Sequence, residues 1–221
     1  MRDKRVRRML LVLSLGGVLA LVGCWWLGVD LAMLKGYWIE IEQWLIQHPS
    51  ALFWALVLLP GLPVPTSALL LAAGVVWRDR PLAACLLCML AMEMNMIWTY
   101  WLAAGPGRRL VERFLKSTGV RIPELPRGDH LRLILILRLT PGMPLFIQNY
   151  VLGFLRPPFR LYLPVSIVCN NIMSCGIVLS GAGLADGRML PMLVGISLIA
   201  LAVVLTHVMR IWLVKRRKPK E

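Results

Sequence analysis

PSALFWALVLLPGLPVPTSALLLAAGVVW, residues 49–77, holds no charged side chain and is long enough to cross a bilayer, yet Pro60-Gly61-Leu62-Pro63-Val64-Pro65 breaks it in the middle. Three prolines in six residues remove backbone donors and clash with the preceding turn, so no continuous helix passes through them. Two half-helices remain, Ser50 to Leu59 and Thr66 to Val76. Each is about 15 Å long, half of a roughly 30 Å hydrocarbon core. The segment is expected to dip into the membrane and turn back. Irregular backbone at that depth survives only where protein buries it or where it lines a watered cavity, so the break predicts a site.

The signature returns in LRLILILRLTPGMPLFIQNYVLGFL, residues 131–155, where Thr140-Pro141-Gly142-Met143-Pro144 interrupts the run and Pro-Gly-Met-Pro answers Pro-Gly-Leu-Pro. Pro60, Gly61, Pro63 and Pro65 break the first hairpin, and Pro141, Gly142 and Pro144 break the second. Each hairpin ends near a glycine, Gly74 or Gly153, and each precedes an apolar span of crossing length, Pro81 to Ala104 or Leu161 to Leu184. Because one full crossing separates the hairpins, the second must enter from the opposite face. The repeat is therefore inverted, as in many transporters.

At 221 residues and 58% hydrophobic content, the chain reads as one integral membrane domain with no separate soluble one. Its expected fold is all-α: four transmembrane helices plus two opposed re-entrant helical hairpins, with amphipathic interfacial helices. Residues 1–48 hold a transmembrane helix, Met9 to Leu27, and an interfacial helix. Residues 49–184 form the core: hairpin 49–77, helix 81–104, basic segment 105–130, hairpin 131–155 and helix 161–184. Residues 185–221 hold a last span, Met189 to Val214, and a basic tail.

A net charge of +14 invites a nucleic-acid partner, but the basic residues sort by loop as the positive-inside rule requires, and no such partner is expected. Arg2, Lys4, Arg5, Arg7 and Arg8 place the N-terminus in the cytoplasm. The basic segment carries Arg108, Arg109, Arg113, Lys116, Arg121 and Arg127, and the tail carries Lys215, Arg216, Arg217, Lys218 and Lys220. The segments assigned outside hold only Lys35, Arg78, Arg80 and Arg188, beside five acids.

Two connecting stretches read as interfacial helices. Leu31, Leu34, Trp38, Ile41 and Leu45 make a stripe at helical spacing, and Leu110, Val111, Phe114 and Leu115 oppose Arg109, Arg113 and Lys116. The basic one suits anionic cytoplasmic lipid. Trp25, Trp26, Trp77, Trp98, Trp101 and Trp212 lie near span ends, as an aromatic belt does. Cys85, Cys88, Cys169 and Cys175 fall within spans and read as small packing residues rather than a redox or metal pair. Leu21-Val22-Gly23-Cys24 has the look of a lipoprotein cleavage site, although an ordinary uncleaved first span is the favoured reading. Cleavage and lipidation at Cys24 would leave the new N-terminus outside.

Glu93 lies near the middle of its span, where a carboxyl is expected to be protonated or paired; its functional reading is proton coupling or cation pairing. The bland reading makes it a hydrogen-bond partner of Asn95 or of a loop carbonyl. Arg138 lies two residues before the second break, and its planar fork suits phosphate. The second half-helices begin at Thr66 and Leu145, so their free amides and positive dipole ends point inward and would welcome an anionic headgroup. Asn149, Gln148, Asn170 and Asn171 would line a hydrophilic path or bond between helices. Arg132 is expected to snorkel, and His207, near Arg210 and the basic tail, is the weakest candidate. No catalytic constellation, metal-ligand cluster or cofactor motif is visible, so no enzyme activity, metal or cofactor is expected.

The proline-rich first hairpin, the Tyr100 to Arg108 stretch, and Arg138-x-x-Pro141-x-x-Pro144 followed by Asn149-Tyr150-x-x-Gly153 resemble the DedA and SNARE-associated Golgi protein superfamily, the VTT-domain proteins. The likeness runs from about Leu45 to Leu184. It implies two facing re-entrant hairpins and movement of lipids between leaflets, undecaprenyl phosphate or aminophospholipid in bacterial members, and scrambling in eukaryotic relatives. Arg138 looks like the family's hairpin arginine. The chain departs from DedA proper in having no acid from Pro49 to Trp77, and Pro144 where a second arginine would stand, so it looks closer to the Golgi-vesicle-protein branch.

The expected function is translocation or scrambling of a phosphate-bearing lipid in a bacterial inner membrane, with both termini cytoplasmic. Its partners are anionic lipid headgroups, and homo-oligomerisation is left open. A coupled small-solute or ion exchanger and a non-transporting scaffold are the alternatives.

Overall fold

The computed structural model describes residues 31–110, 112–113, 129–140 and 143–215. The expected first span, Cys24, most of the basic amphipathic stretch, Pro141, Gly142 and the tail beyond residue 215 lie outside these residues. The chain divides into two units, Met1–Gln47 and His48–Glu221. In the first, helix α1 (Leu31–Gln47) exposes Ile39, Ile41, Trp44 and Ile46.

The second unit is all-helical among its described residues: α2 (Pro49–Leu58), α3 (Thr66–Val76), α4 (Pro81–Ala104), α5 (His130–Arg138), α6 (Leu145–Leu155), α7 (Phe159–Asp186) and α8 (Met189–Lys215). Among the described residues three stretches are long and apolar enough to cross a membrane, Pro81–Ala104, Phe159–Asp186 and Met189–Met209. Proline does much of the segmentation. Pro49 and Pro81 stand in the first turn of α2 and α4, where a missing amide costs nothing. Pro65, Pro144 and Pro158 immediately precede α3, α6 and α7. After α2 the chain tightens into a short 3-10 turn, Leu59–Gly61, that carries Pro60 before the helix ends. The sequence predicts a helix that stops at Leu59; the α-helix ends at Leu58 and the tighter winding accommodates the proline for one further turn.

The packing is reciprocal. α3 lies on α7 and α6 lies on α4, while α2 packs on α4 and α5 packs on α7. The two crossed contacts use the same device. A Cβ at Gly153 would stand 2.6 Å from the Tyr100 carbonyl and 2.7 Å from Ala103, and one at Gly74 would collide with the Val178 carbonyl and the Ala182 amide. Only glycine lets the backbones approach this closely, which is how helices associate where lipid removes any hydrophobic drive between them.

The two ends of the bundle are tied in the same crossed manner. Asp186, at the end of α7, pairs with Arg78 at 3.2 Å, just past α3, and with Arg188 at 3.3 Å across the turn at Gly187, whose φ is +64°. At the other end, Arg156, just past α6, donates to the Ala104 carbonyl that ends α4, and Arg108 donates to Phe154 O at 2.7 Å. The outer faces of α4 and α8 are apolar and exposed, from Leu82, Leu86 and Leu90 on α4 to Leu193, Val204 and Val208 on α8. That surface suits a hydrocarbon solvent rather than water.

Candidate functional site

Where the broken segments meet α4 and α7, a chain of polar side chains runs through an otherwise apolar interior. It begins at Val57 O in α2, which accepts from Asn95 Nδ2 at 2.7 Å and from Trp98 Nε1 at 2.8 Å. Asn95 Oδ1 accepts from Asn149 Nδ2 at 3.2 Å, and Asn149 Oδ1 accepts from Arg138 Nη1 at 2.8 Å. Asn95 and Asn149 are fully buried, and Arg138 is 7% exposed. One arginine and two asparagines thus join α2, α4, α5 and α6.

The guanidinium uses all of its edges. Nε donates to Ser166 Oγ at 3.0 Å, Nη2 to Tyr162 OH at 3.2 Å and to Met96 Sδ at 3.4 Å, and Nη1 also reaches Gln148 Oε1 at 3.5 Å. Tyr162 is held in turn by donating to Met96 O at 3.1 Å and by stacking on Tyr100 with ring centroids 4.6 Å apart. Every one of these acceptors is neutral. Among the described residues no carboxylate pairs with Arg138, in contrast to Arg78, Arg132 and Arg188, each of which meets an aspartate. A buried cation without a counter-ion is expensive, and removing it from water costs several kcal/mol by general estimates. The arrangement leaves the guanidinium charge without a compensating carboxylate among the described residues.

Arg138 also faces open space. With Thr140, Met143, Gln148, Asn170 and His207 it lines a cavity of 460 Å³. The walls come from the second broken segment, α7 and α8. The first broken segment does not border this cavity, although its tip accepts a hydrogen bond from Tyr150 OH at Gly61 O, 2.7 Å. A second, apolar space of 410 Å³ adjoins it and shares Leu139, Cys169, Ala202 and Thr206 with it.

The candidates read from sequence fall into three groups. Arg138 and Asn149 meet directly, and Asn170 borders the cavity while its Nδ2 donates to Met96 Sδ at 3.4 Å. Asn171 and Glu93 form their own contact, Nδ2 to Oε1 at 3.3 Å, outside the cavity wall; the buried Oδ1 of Asn171 has no hydrogen-bond partner. Thr66 is half-buried at the start of α3 and is not in the wall of the Arg138 cavity. Glu93 therefore pairs with Asn171 and not with Asn95. Residues two apart on a helix point to different sides, so Glu93 faces α7 while Asn95 faces the broken segments.

Asn95, Ser166 and Tyr162 are the members of the network that sequence reasoning missed as site residues, Thr140 and Thr206 are missed walls of the cavity, and His207, the weakest candidate from sequence, lines it too. The one available signal was the two-residue offset between Glu93 and Asn95. Among the described residues no three His, Cys, Asp or Glu side chains gather as a metal would need. Asn95→Leu is expected to strand the Asn149 amide, while the Val57 carbonyl keeps Trp98 Nε1 as a donor, costing about 1–3 kcal/mol. Thermal unfolding in detergent measures it, and an unchanged midpoint would show the bridge to be idle.

No curated protein and no solved structure matches the chain. The VTT domain matches residues 62–183, more than half of the chain, and takes in α3, α4, α5, α6 and most of α7, with Asn95, Arg138, Asn149, Tyr162 and Ser166 among them. The chain belongs to the VTT-domain family, that of the DedA and SNARE-associated Golgi proteins.

Proposed function

We propose that this protein moves phosphate-bearing lipids, undecaprenyl phosphate or phospholipid, between the leaflets of a bacterial inner membrane. The observation that carries the reading is the buried guanidinium of Arg138, which meets no carboxylate among the described residues and stands beside a cavity that adjoins an apolar space. A headgroup phosphate would neutralise the charge while the hydrocarbon stays in apolar surroundings.

In this account α2 with α3, and α5 with α6, are re-entrant hairpins that enter from opposite faces and form an inverted repeat. The crossed glycine contacts and crossed end ties support it, since each hairpin docks on the other repeat's crossing helix. Arg138 holds the phosphate through Nη1, which exchanges its long 3.5 Å contact with Gln148 Oε1 at the cavity wall for the headgroup, Asn149 fixes the guanidinium, and Asn170 offers a neutral donor at the same wall. The free amides at the start of α6, at Leu145, add a positive dipole end. The Glu93 and Asn171 pair stands between α4 and α7, where a carboxyl could answer protons or cations. Both termini are cytoplasmic in this topology.

Purified protein in phosphatidylcholine vesicles with a trace of headgroup-labelled phospholipid tests the proposal. The expected result is that label on the inner leaflet becomes accessible to an impermeant quencher faster than in protein-free vesicles, with no added flux of a soluble anion. Flux of the anion without lipid movement would favour the exchanger, and neither would favour the scaffold.

A further inference from the structure

We infer that α8, which lies beyond the matched domain, completes a two-part lipid site in which one hydrocarbon chain occupies the apolar groove while its phosphate sits at Arg138. The inference rests on the lipid reading above and adds where the chain goes and which helix decides it.

Three observations carry it. The polar cavity and the groove adjoin, sharing Leu139, Cys169, Ala202 and Thr206 in their walls, so apolar space lies beside a ligand at Arg138. The groove follows one face of α5, because Leu131, Leu135 and Leu139 are spaced by four residues and line it in order toward the cavity. Across it, α7 presents Val168 and Ile172, and α8 presents Leu205 and Met209. Pro164, also on the wall, has no amide to bond within α7, so this face of the helix is interrupted beside the groove.

The groove adds little affinity by burial, since the competing solvent for a lipid chain is itself hydrocarbon. Its part is geometric. A headgroup that reaches Arg138 without an apolar slot would pull its chain across Thr140, Gln148 and Asn170, and the groove removes that conflict. It begins where α5 begins, at Leu131, and approaches the end of α8 at Met209. The lipid therefore loads from the membrane face on which α5 starts.

Val168 and Leu205 are exposed, 68% and 41%, so tryptophan can be placed there without disturbing the core. Val204, 57% exposed and not on the groove, is the control for bulk on α8. Each variant is reconstituted, and phosphatidic acid retention by native mass spectrometry is read beside headgroup movement; inorganic phosphate is offered as a separate competitor. Val168→Trp and Leu205→Trp are expected to lower both readouts about tenfold, the equivalent of about 1.4 kcal/mol, while Val204→Trp stays at the wild-type value. Wild-type rates in both groove variants, with Arg138→Gln inactive, would overturn the groove and leave the lipid reading standing. Displacement of phosphatidic acid by inorganic phosphate alone, equally in all variants, would make this a free-anion site and overturn the inference. An inactive wild-type protein would remove the lipid reading itself.

Discussion

Replacing Arg138 with glutamine should slow transbilayer movement of a phosphate lipid by roughly 10- to 100-fold, because a charge-assisted hydrogen bond is worth about 1.5–3 kcal/mol and its loss here falls on the ligand. Lysine should recover little of the rate. The guanidinium meets Ser166, Asn149 and Tyr162 on three different edges, and an ammonium is a point charge with three donors on a flexible stem. Stability should respond differently from activity. Glutamine removes a buried charge that has no partner carboxylate among the described residues and keeps an amide for Asn149, so the unfolding midpoint in detergent is expected to hold or rise. A structural arginine would behave the other way round, with folding lost alongside transport. Full activity in Arg138→Lys would mean that charge alone suffices and that the fork geometry is incidental.

Gly74→Val and Gly153→Val should be the most destabilising single changes in the core, each costing about 3 kcal/mol, the upper end of the usual range for overpacking. At both positions the obstructing atoms are backbone carbonyls, of Val178 for Gly74 and of Tyr100 for Gly153, so no side chain can swing aside. Alanine already tests the point by sign. Glycine to alanine in a free helix gains about 1 kcal/mol, and Gly36→Ala, with nothing within 4 Å of the new methyl, should follow that rule. Gly74→Ala and Gly153→Ala should instead lower the unfolding midpoint. A rise at either would mean that the crossed helix contacts are looser than described.

Much of the fold was legible because proline and hydropathy are local signals. The span from Pro81 to Ala104 and the half-helix from Thr66 to Val76 carry the bounds read from sequence, and α7 extends the expected span by two residues at each end. The motif residues Gly74 and Gly153 were legible as positions, and what they touch required the fold. The site was legible only in part for the same reason. Arg138 and Asn149 announce themselves as polar groups beside a break, whereas Ser166 and Tyr162 are ordinary residues in an apolar helix until α5 lies against them. His207 was discounted for its nearness to the basic tail, a statement about depth along α8. Depth does not fix azimuth, and the side on which His207 and Thr206 stand is the side facing Arg138 across the cavity.

All of this depends on two broken helix pairs entering the bilayer from opposite faces. Single cysteines at Ser50, Asp79, Leu131 and Arg160, introduced into a chain whose own cysteines are replaced, can be labelled with an impermeant maleimide in intact spheroplasts and in inverted vesicles. All four of these side chains are exposed. The account predicts that positions 50 and 79 react from outside and that positions 131 and 160 react from the cytoplasm. Labelling of 50 and 79 from different sides would make the first pair an ordinary crossing and would contradict it.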